Sequence, residues 1–344
     1  MQAIMIDAPM RFSMRTVPEP LPENGGGLVR VAACGLCGSD MRTLRFGHSR
    51  VTFPWIIGHE FCGEILSCPD GNPAIKLGAL ISAVPVVTCG SCAFCLSGNP
   101  QHCSQYQELA QHWPGAFAQN IALPAQVFTH GSILPLPDAL SPILATLAEP
   151  LAAVIHAHEI GGVSATNCVA VIGSGPVGCM HITLAKHSGV QKTMLIDIGH
   201  QRLALSEPFG ADMRINSSRQ DPLPLVKSNT NGLGADVVVV AAASPDAVRT
   251  AINLVRKGGT VILFAGLPAE HARLEIDIND LHYRGIRLIG STIYAPRHHR
   301  IALDLLANGL IQQQAMITTF PLSEFEQGVR AAMHNEILKA VFIP

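Results

Sequence analysis

The chain has 344 residues, of which 48% are hydrophobic and 14% are charged, and 23 Lys and Arg nearly balance 25 Asp and Glu. This length exceeds what one hydrophobic core usually supports, so we expect two domains. The near-neutral charge, without a long basic or acidic run, argues against nucleic acid or an anionic membrane as a partner.

The N-terminal segment 1–7 lacks a charged region followed by an apolar stretch, so we expect no secretory signal. The most apolar later stretch, 142–160, is interrupted by Glu149, Glu159 and two histidines. It therefore falls short of the roughly 20 apolar residues that span a membrane. These features predict a soluble, cytoplasmic protein that acts away from membranes.

Short β-type runs separated by Gly and Pro fill the chain up to about Ala153. This pattern predicts a mostly antiparallel, partly barrel-like domain with long functional loops. The predicted strands are Ala3–Ile6, Leu28–Ala33, Glu64–Leu66, Ala79–Val84 and Ala118–Leu123.

Two groups of potential metal ligands lie in the loops of this first part. Cys37, His59 and Glu60 offer a thiolate, an imidazole and a carboxylate, and three protein ligands would leave the fourth position of a zinc ion for substrate. Four further cysteines in C-x2-C-x2-C-x7-C spacing fit one tetrahedral zinc whose positions are all filled, which is typical of a structural site. They are Cys89, Cys92, Cys95 and Cys103.

The remaining cysteines and the paired histidines are interpreted as structural residues. Buried small hydrophobic side chains are the favoured role for Cys34, Cys62, Cys68, Cys168 and Cys179. Because no histidine pair has partners at ligand spacing, solvent-facing or hydrogen-bonded core roles are preferred over metal ligation. This applies to His156 with His158 and to His298 with His299.

After Pro150 the pattern changes to nearly continuous aliphatic strands that alternate with helical stretches. Such strands predict a parallel sheet covered on both faces, that is, a doubly wound domain. The predicted strands are Val169–Ile172, Met194–Ile196, Val237–Val240, Val261–Phe264 and Ile286–Ile289, and the helices include Val177–Ser188, Gln201–Phe209 and Asp246–Val255. The last fifty residues are too few for a domain and are expected to pack on the first one.

A dinucleotide fingerprint follows the first strand of this second part and opens a helix. In such a context the glycines permit a tight turn and let backbone N–H groups approach a pyrophosphate at the helix N-terminus. Asp197, at the end of the next strand, is placed to bind the ribose hydroxyls of NAD and to repel a 2′-phosphate, although Arg202 nearby is able to accommodate one. The fingerprint consists of Gly173, Gly175, Pro176, Val177 and Gly178.

The order of these motifs resembles that of the zinc-dependent medium-chain dehydrogenases, in particular the sorbitol, threonine and L-idonate dehydrogenase branch. The similarity extends over essentially the whole chain, including Leu306–Leu310 and Lys339–Phe342. Besides the cysteine group and the fingerprint, it is carried by Gly35-Leu-Cys37-Gly-Ser39-Asp40, Gly58-His59-Glu60 and Ala148-Glu149-Pro150.

The resemblance implies an α/β fold with two domains. Residues 1–153, completed by 293–344, would form a mostly β, GroES-like catalytic domain, and residues 154–292 a Rossmann NAD-binding domain with a doubly wound parallel sheet. Such enzymes are usually tetramers, so a homo-oligomer, a tetramer or a dimer, is expected.

The resemblance also assigns roles to individual residues. Cys37, His59 and Glu60 would surround a catalytic zinc, with Glu149 as fourth ligand or exchanging with water, and Ser39 would contact the substrate oxygen. The four-cysteine group would hold a structural zinc, which gives two zinc ions per chain in addition to NAD.

The implied activity is oxidation of a secondary alcohol of a polyol or sugar acid, a small-molecule substrate, to the ketone. A zinc ion lowers the pKa of a bound hydroxyl from about 16 towards about 7, and the alkoxide then passes a hydride to the nicotinamide. A galactitol-1-phosphate-like sugar phosphate or L-threonine is an alternative substrate, and a catalytically silent zinc and nucleotide-binding protein is the alternative from another class.

One position departs from the family pattern. Five residues after Cys37 many relatives carry a His that passes the proton to solvent, whereas this chain has Arg42, which cannot act as a base. The proton would leave through Ser39, the ribose and water, or His48 would take over the relay. Arg42 and His48 belong either to a solvated loop or to a site for an anionic substrate group.

Overall fold

The computed structural model describes residues 1–69, 75–267 and 271–344, and the chain divides into two compact units. One unit combines Met1–Ala152 with Ile293–Pro344, and the other comprises Ala153–Thr292. Each unit has its own hydrophobic core and its own main sheet.

The N-terminal part of the first unit is built mainly from short strands. They are β1 (Gln2–Ala8), β2 (Arg11–Thr16), β3 (Gly27–Gly35), β4 (Glu60–Ser67), β5 (Leu80–Ala83), β6 (Val86–Val87), β7 (Gln107–Glu108), β8 (Asn120–Leu123) and β9 (Ile133–Pro135). The helices are α1 (Gly38–Phe46), α2 (Ala93–Leu96), α3 (Ala125–Thr129), α4 (Pro142–Ala145) and α5 (Ala148–Gly161), and the division between the units falls within α5.

The second unit alternates strands and helices. Its strands are β10 (Cys168–Ile172), β11 (Lys192–Asp197), β12 (Met213–Asn216), β13 (Ala235–Val240), β14 (Val255–Leu263) and β15 (Arg287–Gly290). Its helices after α5 are α6 (Pro176–His187), α7 (His200–Leu205), α8 (Pro222–Ser228), α9 (Pro245–Leu254) and α10 (Ile278–Arg284).

These six strands form one sheet in the order β12-β11-β10-β13-β14-β15, with every neighbouring pair parallel. Alternate residues of β10 contribute to two different hydrophobic clusters, Val169 and Val171 to one and Ala170 and Ile172 to the other. The sheet is therefore covered on both faces, and the predicted doubly wound fold is confirmed.

The predicted helix Gln201–Phe209 is wrong in one respect, because it is interrupted. α7 ends at Leu205, and a short 3₁₀ helix follows at Glu207–Phe209. Pro208 lacks the backbone N–H that would continue the α-helical hydrogen bonds, which accounts for the break.

The C-terminal segment returns to the first unit. It contains α11 (Pro296–Ala307), α12 (Gln313–Met316), β16 (Ile317–Pro321), α13 (Phe325–Met333) and β17 (Lys339–Ile343). β17 pairs antiparallel with β3 and parallel with β16. The rings of Phe325 and Phe342 contact Phe117 with centroids 4.9 and 5.5 Å away, so this segment completes the core of the first unit.

The main sheet of the first unit has seven strands in the order β16-β17-β3-β4-β5-β9, with β8 also paired to β3. Every pair except β16–β17 is antiparallel. The last residue of β3, Gly35, pairs with the first residue of β4, Glu60. The loop that follows β3 and the loop that precedes β4 therefore lie at the same end of the sheet.

Among the described residues, no helix is both long and apolar enough to cross a membrane.

Candidate metal and cofactor sites

The first group of potential ligands comes together where β3 ends and β4 begins. One ligand atom each from Cys37, His59 and Glu60 lies within 4.8 Å of the others. His59 and Glu60 are buried and Cys37 is partly exposed. Gly58, with φ of 103°, precedes His59, and a Cβ there would lie 3.0 Å from Cys34 Sγ and the Phe117 ring. Glycine therefore lets the chain turn into this buried position.

Asp40 connects two of these residues, a role that the sequence analysis missed. It is the third residue of α1, and its Oδ2 accepts the backbone N–H of Cys37 at 3.0 Å. Its Oδ1 lies 3.3 Å from Nδ1 of His59. Burial opposes a charge on His59, but Asp40 and Cys37 raise its pKa well above the ordinary value. The signal was present in the sequence, because an acidic residue at this helix position commonly bonds back to the residue that starts the helix.

Besides its place in the ligand group, Glu60 pairs with Lys339 of β17. The two side chains form an ion pair in which Glu60 is 0% and Lys339 is 4% exposed. Burial disfavours the charged lysine, but the carboxylate of Glu60 raises its pKa. The negative charge that Glu60 brings to the group is therefore compensated before any metal binds.

Glu149, at the start of α5, is not one of the three mutually close ligands. Loss of solvation raises its pKa to about 7, and the charge of Glu60 adds to this effect while His59 opposes it. Glu149 therefore lies in the electrostatic environment of the group without joining it in this structure. Sequence reasoning grouped all four residues, and the structure brings three of them into contact distance.

The four cysteines of the second group form a compact cluster. The Sγ separations are 3.5 Å for Cys92–Cys95 and Cys89–Cys103, 3.9 Å for Cys92–Cys103 and 4.0 Å for Cys89–Cys95. Four sulfurs around a tetrahedral zinc with Zn–S distances of about 2.3 Å would be separated by about 3.8 Å. The cluster therefore fits the ion without rearrangement.

Backbone N–H groups point at these sulfurs. Those of Cys89 and Gln105 each donate to Sγ of Cys103 at 3.3 Å, and that of Cys92 donates to Sγ of Cys89 at 3.3 Å. Backbone N–H groups of Cys95 and Ser104 lower the pKa of Cys92 to about 5. Such bonds favour thiolates, which is the form that binds a metal.

Of the residues expected to contact substrate, Ser39 and Arg42 lie on α1, which starts directly after Cys37, and His48 follows the end of that helix. Ser39 and Arg42 are exposed and His48 is partly exposed. Burial and the positive charges of Arg50 and Arg42 lower the pKa of His48, whereas Glu108 raises it. The guanidinium of Arg50 lies 5.5 Å from the Tyr106 ring centroid.

Tyr106 and Glu108 are neighbours of this arginine-rich segment. The pKa of Tyr106 is raised by burial and by Glu108, to which its hydroxyl donates a hydrogen bond, whereas the charges of Arg50 and His59 lower it. Glu108, on β7, therefore raises the pKa of both His48 and Tyr106.

The predicted dinucleotide loop connects β10 to α6, and Pro176 and Val177 form the first turn of that helix. A Cβ on Gly178 would lie 1.8 Å from the carbonyl oxygen of Gly173, so this close approach requires glycine. A Cβ on Gly175 would meet no atom within 4 Å, which leaves open space above the helix N-terminus for a phosphate group.

Asp197, the last residue of β11, is tied to this loop. Its Oδ2 accepts the N–H and the hydroxyl of Ser174 at 2.7 and 2.8 Å, and its Oδ1 accepts the N–H of Gly199 at 2.8 Å. A carboxylate has about four acceptor positions, so one remains for a ribose hydroxyl. Burial lowers the pKa of Arg202, and the charge of Asp197 opposes this effect.

All four histidines of the two sequence pairs, His156 with His158 and His298 with His299, are buried. His158 Nε2 and His181 Nδ1 are 3.0 Å apart within the second unit. His298 accepts the backbone N–H of Ala295, and His299 lies between Tyr294 and Ser82. Metal-ligating clusters among the described residues do not include any of these histidines.

Comparisons with known proteins agree with this arrangement. Residues 23–138 match the family model of the alcohol dehydrogenase GroES-like domain, and residues 176–308 match that of the zinc-binding dehydrogenases. The chain is 32% identical to L-threonine 3-dehydrogenase of Bacillus licheniformis over 96% of its length and 95% of the relative's. It is 31% identical to sorbitol dehydrogenase of Bacillus subtilis, covering 100% and 97% of the two chains. It is 30% identical to D-arabitol-phosphate dehydrogenase of Enterococcus avium, covering 96% and 93%.

A solved structure supports the fold and the type of cofactor. A zinc-binding dehydrogenase from Sinorhizobium meliloti 1021 bound to NADP is 30% identical to this chain, with a TM-score of 0.88 and coverage of 100% and 99% of the two chains. The predicted α/β fold with a doubly wound sheet and a GroES-like domain is therefore confirmed.

Proposed function

This chain belongs to the zinc-dependent medium-chain alcohol dehydrogenases, and we propose that it uses NAD to oxidise a secondary alcohol of a polyhydroxy substrate carrying an anionic group. The substrate would be a sugar acid or a polyol phosphate. The observation that supports this choice is the pair Arg42 and Arg50 beside His48, because Arg42 lies on α1, the helix that starts directly after Cys37.

Cys37 and His59 would hold the catalytic zinc, with Glu60 or Glu149 supplying a carboxylate. A soft thiolate and an imidazole at contact distance are ligands that zinc accepts. When bound, the metal supplies Lewis-acid activation of the substrate hydroxyl, and the nicotinamide accepts the hydride. The closed cluster of four cysteines would hold the structural zinc.

Ser39 would receive the proton of the substrate hydroxyl. Its side chain is exposed, two residues after Cys37 in the first turn of α1. A hydroxyl both accepts and donates, so it is able to pass a proton onward, which Arg42 is not. Proton transfer through Ser39 to water would thus replace the histidine that many relatives carry.

The anionic group of the substrate would face the exposed end of α1. Arg42 offers several N–H donors in a planar fork that matches a carboxylate or a phosphate. Arg50 and Arg42 lower the pKa of His48, and Glu108 opposes them. D-arabitol-phosphate dehydrogenase, one of the relatives, is named for a phosphorylated polyol.

NAD would bind at the loop that Gly175 leaves open. Asp197 would accept a ribose hydroxyl and would repel a 2′-phosphate, so we propose NAD as the preferred cofactor over NADP. NAD and NADP differ only in the 2′-phosphate, so a comparison of the two cofactors tests this role of Asp197 directly.

L-Threonine is the second candidate substrate, because a relative named L-threonine 3-dehydrogenase is 32% identical over nearly the whole chain. Its carboxylate would suit the same cations. Its ammonium group would be repelled by Arg42 and Arg50, and this favours sugar acids and polyol phosphates.

The test is a substrate panel in which NADH formation is measured with purified zinc-loaded enzyme. The panel contains aldonates, polyol phosphates, neutral polyols and L-threonine, each with NAD and with NADP. We expect the highest kcat/KM for an acidic substrate with NAD. A clear preference for sorbitol or another neutral polyol would contradict the anionic substrate, and a preference for threonine would establish the second candidate.

A further inference from the structure

Three polar side chains in the core of the first unit form a continuous hydrogen-bonded chain. Tyr294, His299 and Ser82 are 1%, 0% and 2% exposed. The hydroxyl of Tyr294 lies 3.0 Å from Nδ1 of His299, and Nε2 of His299 lies 2.8 Å from Oγ of Ser82. At the other end, the pKa of Tyr294 is raised well above its ordinary value by burial and then by the charge of Glu149 and a hydrogen bond with it.

The backbone on both sides of Tyr294 has a fixed conformation. Ile293, a β-branched residue, has φ of 56°, a conformation that such residues rarely adopt. Pro296 then begins α11, and the ring of His298 accepts the N–H of Ala295 at 3.0 Å. A strained residue before Tyr294 and a fixed helix start after it define where Tyr294 and His299 point.

Donors and acceptors in the chain are complementary. Burial lowers the pKa of His299 to about 3, so its imidazole is neutral and has one donor and one acceptor nitrogen. When Tyr294 donates to the carboxylate of Glu149, Nδ1 of His299 donates to Tyr294, and the hydroxyl of Ser82 donates to Nε2. The other acceptor near Ser82, the carbonyl oxygen of Phe61, is more distant at 3.5 Å.

The far end of the chain is anchored in the sheet that carries the metal ligand group. Ser82 lies on β5 and pairs with Cys62 of β4, the strand that begins at Glu60. Glu149 is thus connected through three buried side chains to the strand that presents Glu60.

We infer that Tyr294, His299 and Ser82 are positioning residues that hold the carboxylate of Glu149 beside the group formed by Cys37, His59 and Glu60. The inference rests on the proposed function, in which Glu149 serves the catalytic zinc. If the Tyr294 hydroxyl were itself free to move, the carboxylate of Glu149 would be free to rotate with it. Because His299 and Ser82 fix the Tyr294 hydroxyl, the carboxylate is held in one orientation.

The test compares Tyr294→Phe with wild type, because this change removes only the hydroxyl. We expect the more labile of the two zinc ions to be lost to a chelator about tenfold faster, since hydrogen-bonded support of a ligand commonly affects metal affinity to this extent. We also expect kcat to fall about tenfold while KM for NAD is unchanged. His299→Leu should behave likewise, and His299→Asn, which retains a donor towards Tyr294, should recover part of the loss.

Two variants serve as matched controls. Tyr283→Phe removes a hydroxyl from an exposed tyrosine, and Ser206→Ala removes the hydroxyl of a buried serine that bonds the Leu203 carbonyl in the second unit. Both should leave zinc release and kcat at wild-type values. In a Glu149→Ala background, Tyr294→Phe should have no further effect, because the group that it positions is gone.

The outcomes separate this inference from the proposed function. Additive effects of Tyr294→Phe and Glu149→Ala, or zinc release at the wild-type rate in Tyr294→Phe, overturn the positioning role even in an active dehydrogenase. If the wild type reduces no NAD with any substrate, the proposed function fails, and the zinc-release comparison still decides the role of Tyr294. Should Tyr294→Phe fail to fold, the comparison of His299→Asn with His299→Leu provides the same decision.

Discussion

His59 and Asp40 form a buried pair, with Nδ1 of the imidazole 3.3 Å from Oδ1 of the carboxylate. The other oxygen of Asp40 accepts the backbone N–H of Cys37. One carboxylate thus orients two proposed zinc ligands, one through its side chain and the other through its main chain. A carboxylate behind a ligating histidine fixes the ring and makes it a better ligand.

Replacing Asp40 with Asn should weaken the catalytic site without removing a ligand. The amide is nearly the same size but has only one acceptor oxygen, so the histidine ring and the Cys37 N–H cannot both be bonded. We expect zinc affinity at this site to fall by about ten- to hundredfold. Competition with a chelator measures this, and Asp246→Asn, at an exposed ion pair in the second unit, is the control. Unchanged affinity in Asp40→Asn would show that the pair does not support a metal.

The sequence predicted those features of the fold that depend on local pattern. The aliphatic runs of β10, β11, β13 and β14 define a buried parallel sheet by composition alone. The four-cysteine cluster was predictable because its ligands lie within fifteen residues, Cys89 to Cys103.

The positioning chain could not be predicted, because Ser82 lies far in sequence from Tyr294 and His299. Ser82 and His299 are separated by 217 residues, and neither has a neighbouring motif that indicates a polar contact. Their proximity depends on the return of the C-terminal segment to the first unit, which pairing of β17 with β3 establishes. Asp40 is an intermediate case, since its helix position indicates a bond to Cys37 but not to His59.

Arg42 should determine the preference for acidic substrates. A hydrogen bond to a charged group contributes about 1.5–3 kcal/mol, which corresponds to roughly a ten- to hundredfold change in kcat/KM. Arg42→Gln should therefore weaken turnover of aldonates or polyol phosphates and spare neutral polyols. Arg45→Gln, an exposed arginine on the same helix, is the matched control and should change neither. An equal loss for acidic and neutral substrates in Arg42→Gln would favour the solvated-loop interpretation.

Asp197 should determine the choice between NAD and NADP. Asp197→Ser removes the charge that repels a 2′-phosphate, so the ratio of kcat/KM for NAD to that for NADP should fall. Part of the loss with NAD would come from the bonds to Ser174 and Gly199 that Asp197 makes. Steady-state kinetics with both cofactors provide the ratio. A wild-type enzyme that prefers NADP would contradict the assignment.

The buried pair His158 and His181 should make stability depend on pH. Burial lowers the pKa of His158 to about 4 and, together with the charge of His158, lowers that of His181 well below its ordinary value. An unfolded histidine titrates near pH 6.5, so the unfolded chain binds more protons than the folded one as the pH falls below that value. The free energy of unfolding should therefore decrease from pH 6.5 towards pH 4, by about 3 kcal/mol for His158 alone.

Urea denaturation between pH 7 and pH 4.5 measures this dependence. In the double variant His158→Leu and His181→Leu the decrease should be shallower than in wild type, because neither side chain titrates. His282→Asn, at an exposed histidine of the same unit, should retain the wild-type slope. The same slope in the double variant and in wild type would exclude the pair as its source.

The most direct test of the proposed chemistry is the zinc content of Cys37→Ser, determined together with NAD reduction and NADH binding. The four-cysteine cluster is a closed site that should keep its metal, whereas the group around Cys37 should lose its own. We predict two zinc ions per chain in wild type and one in Cys37→Ser, with turnover abolished and NADH binding retained. Two zinc ions in Cys37→Ser, or turnover at the wild-type rate, would contradict a catalytic metal at Cys37.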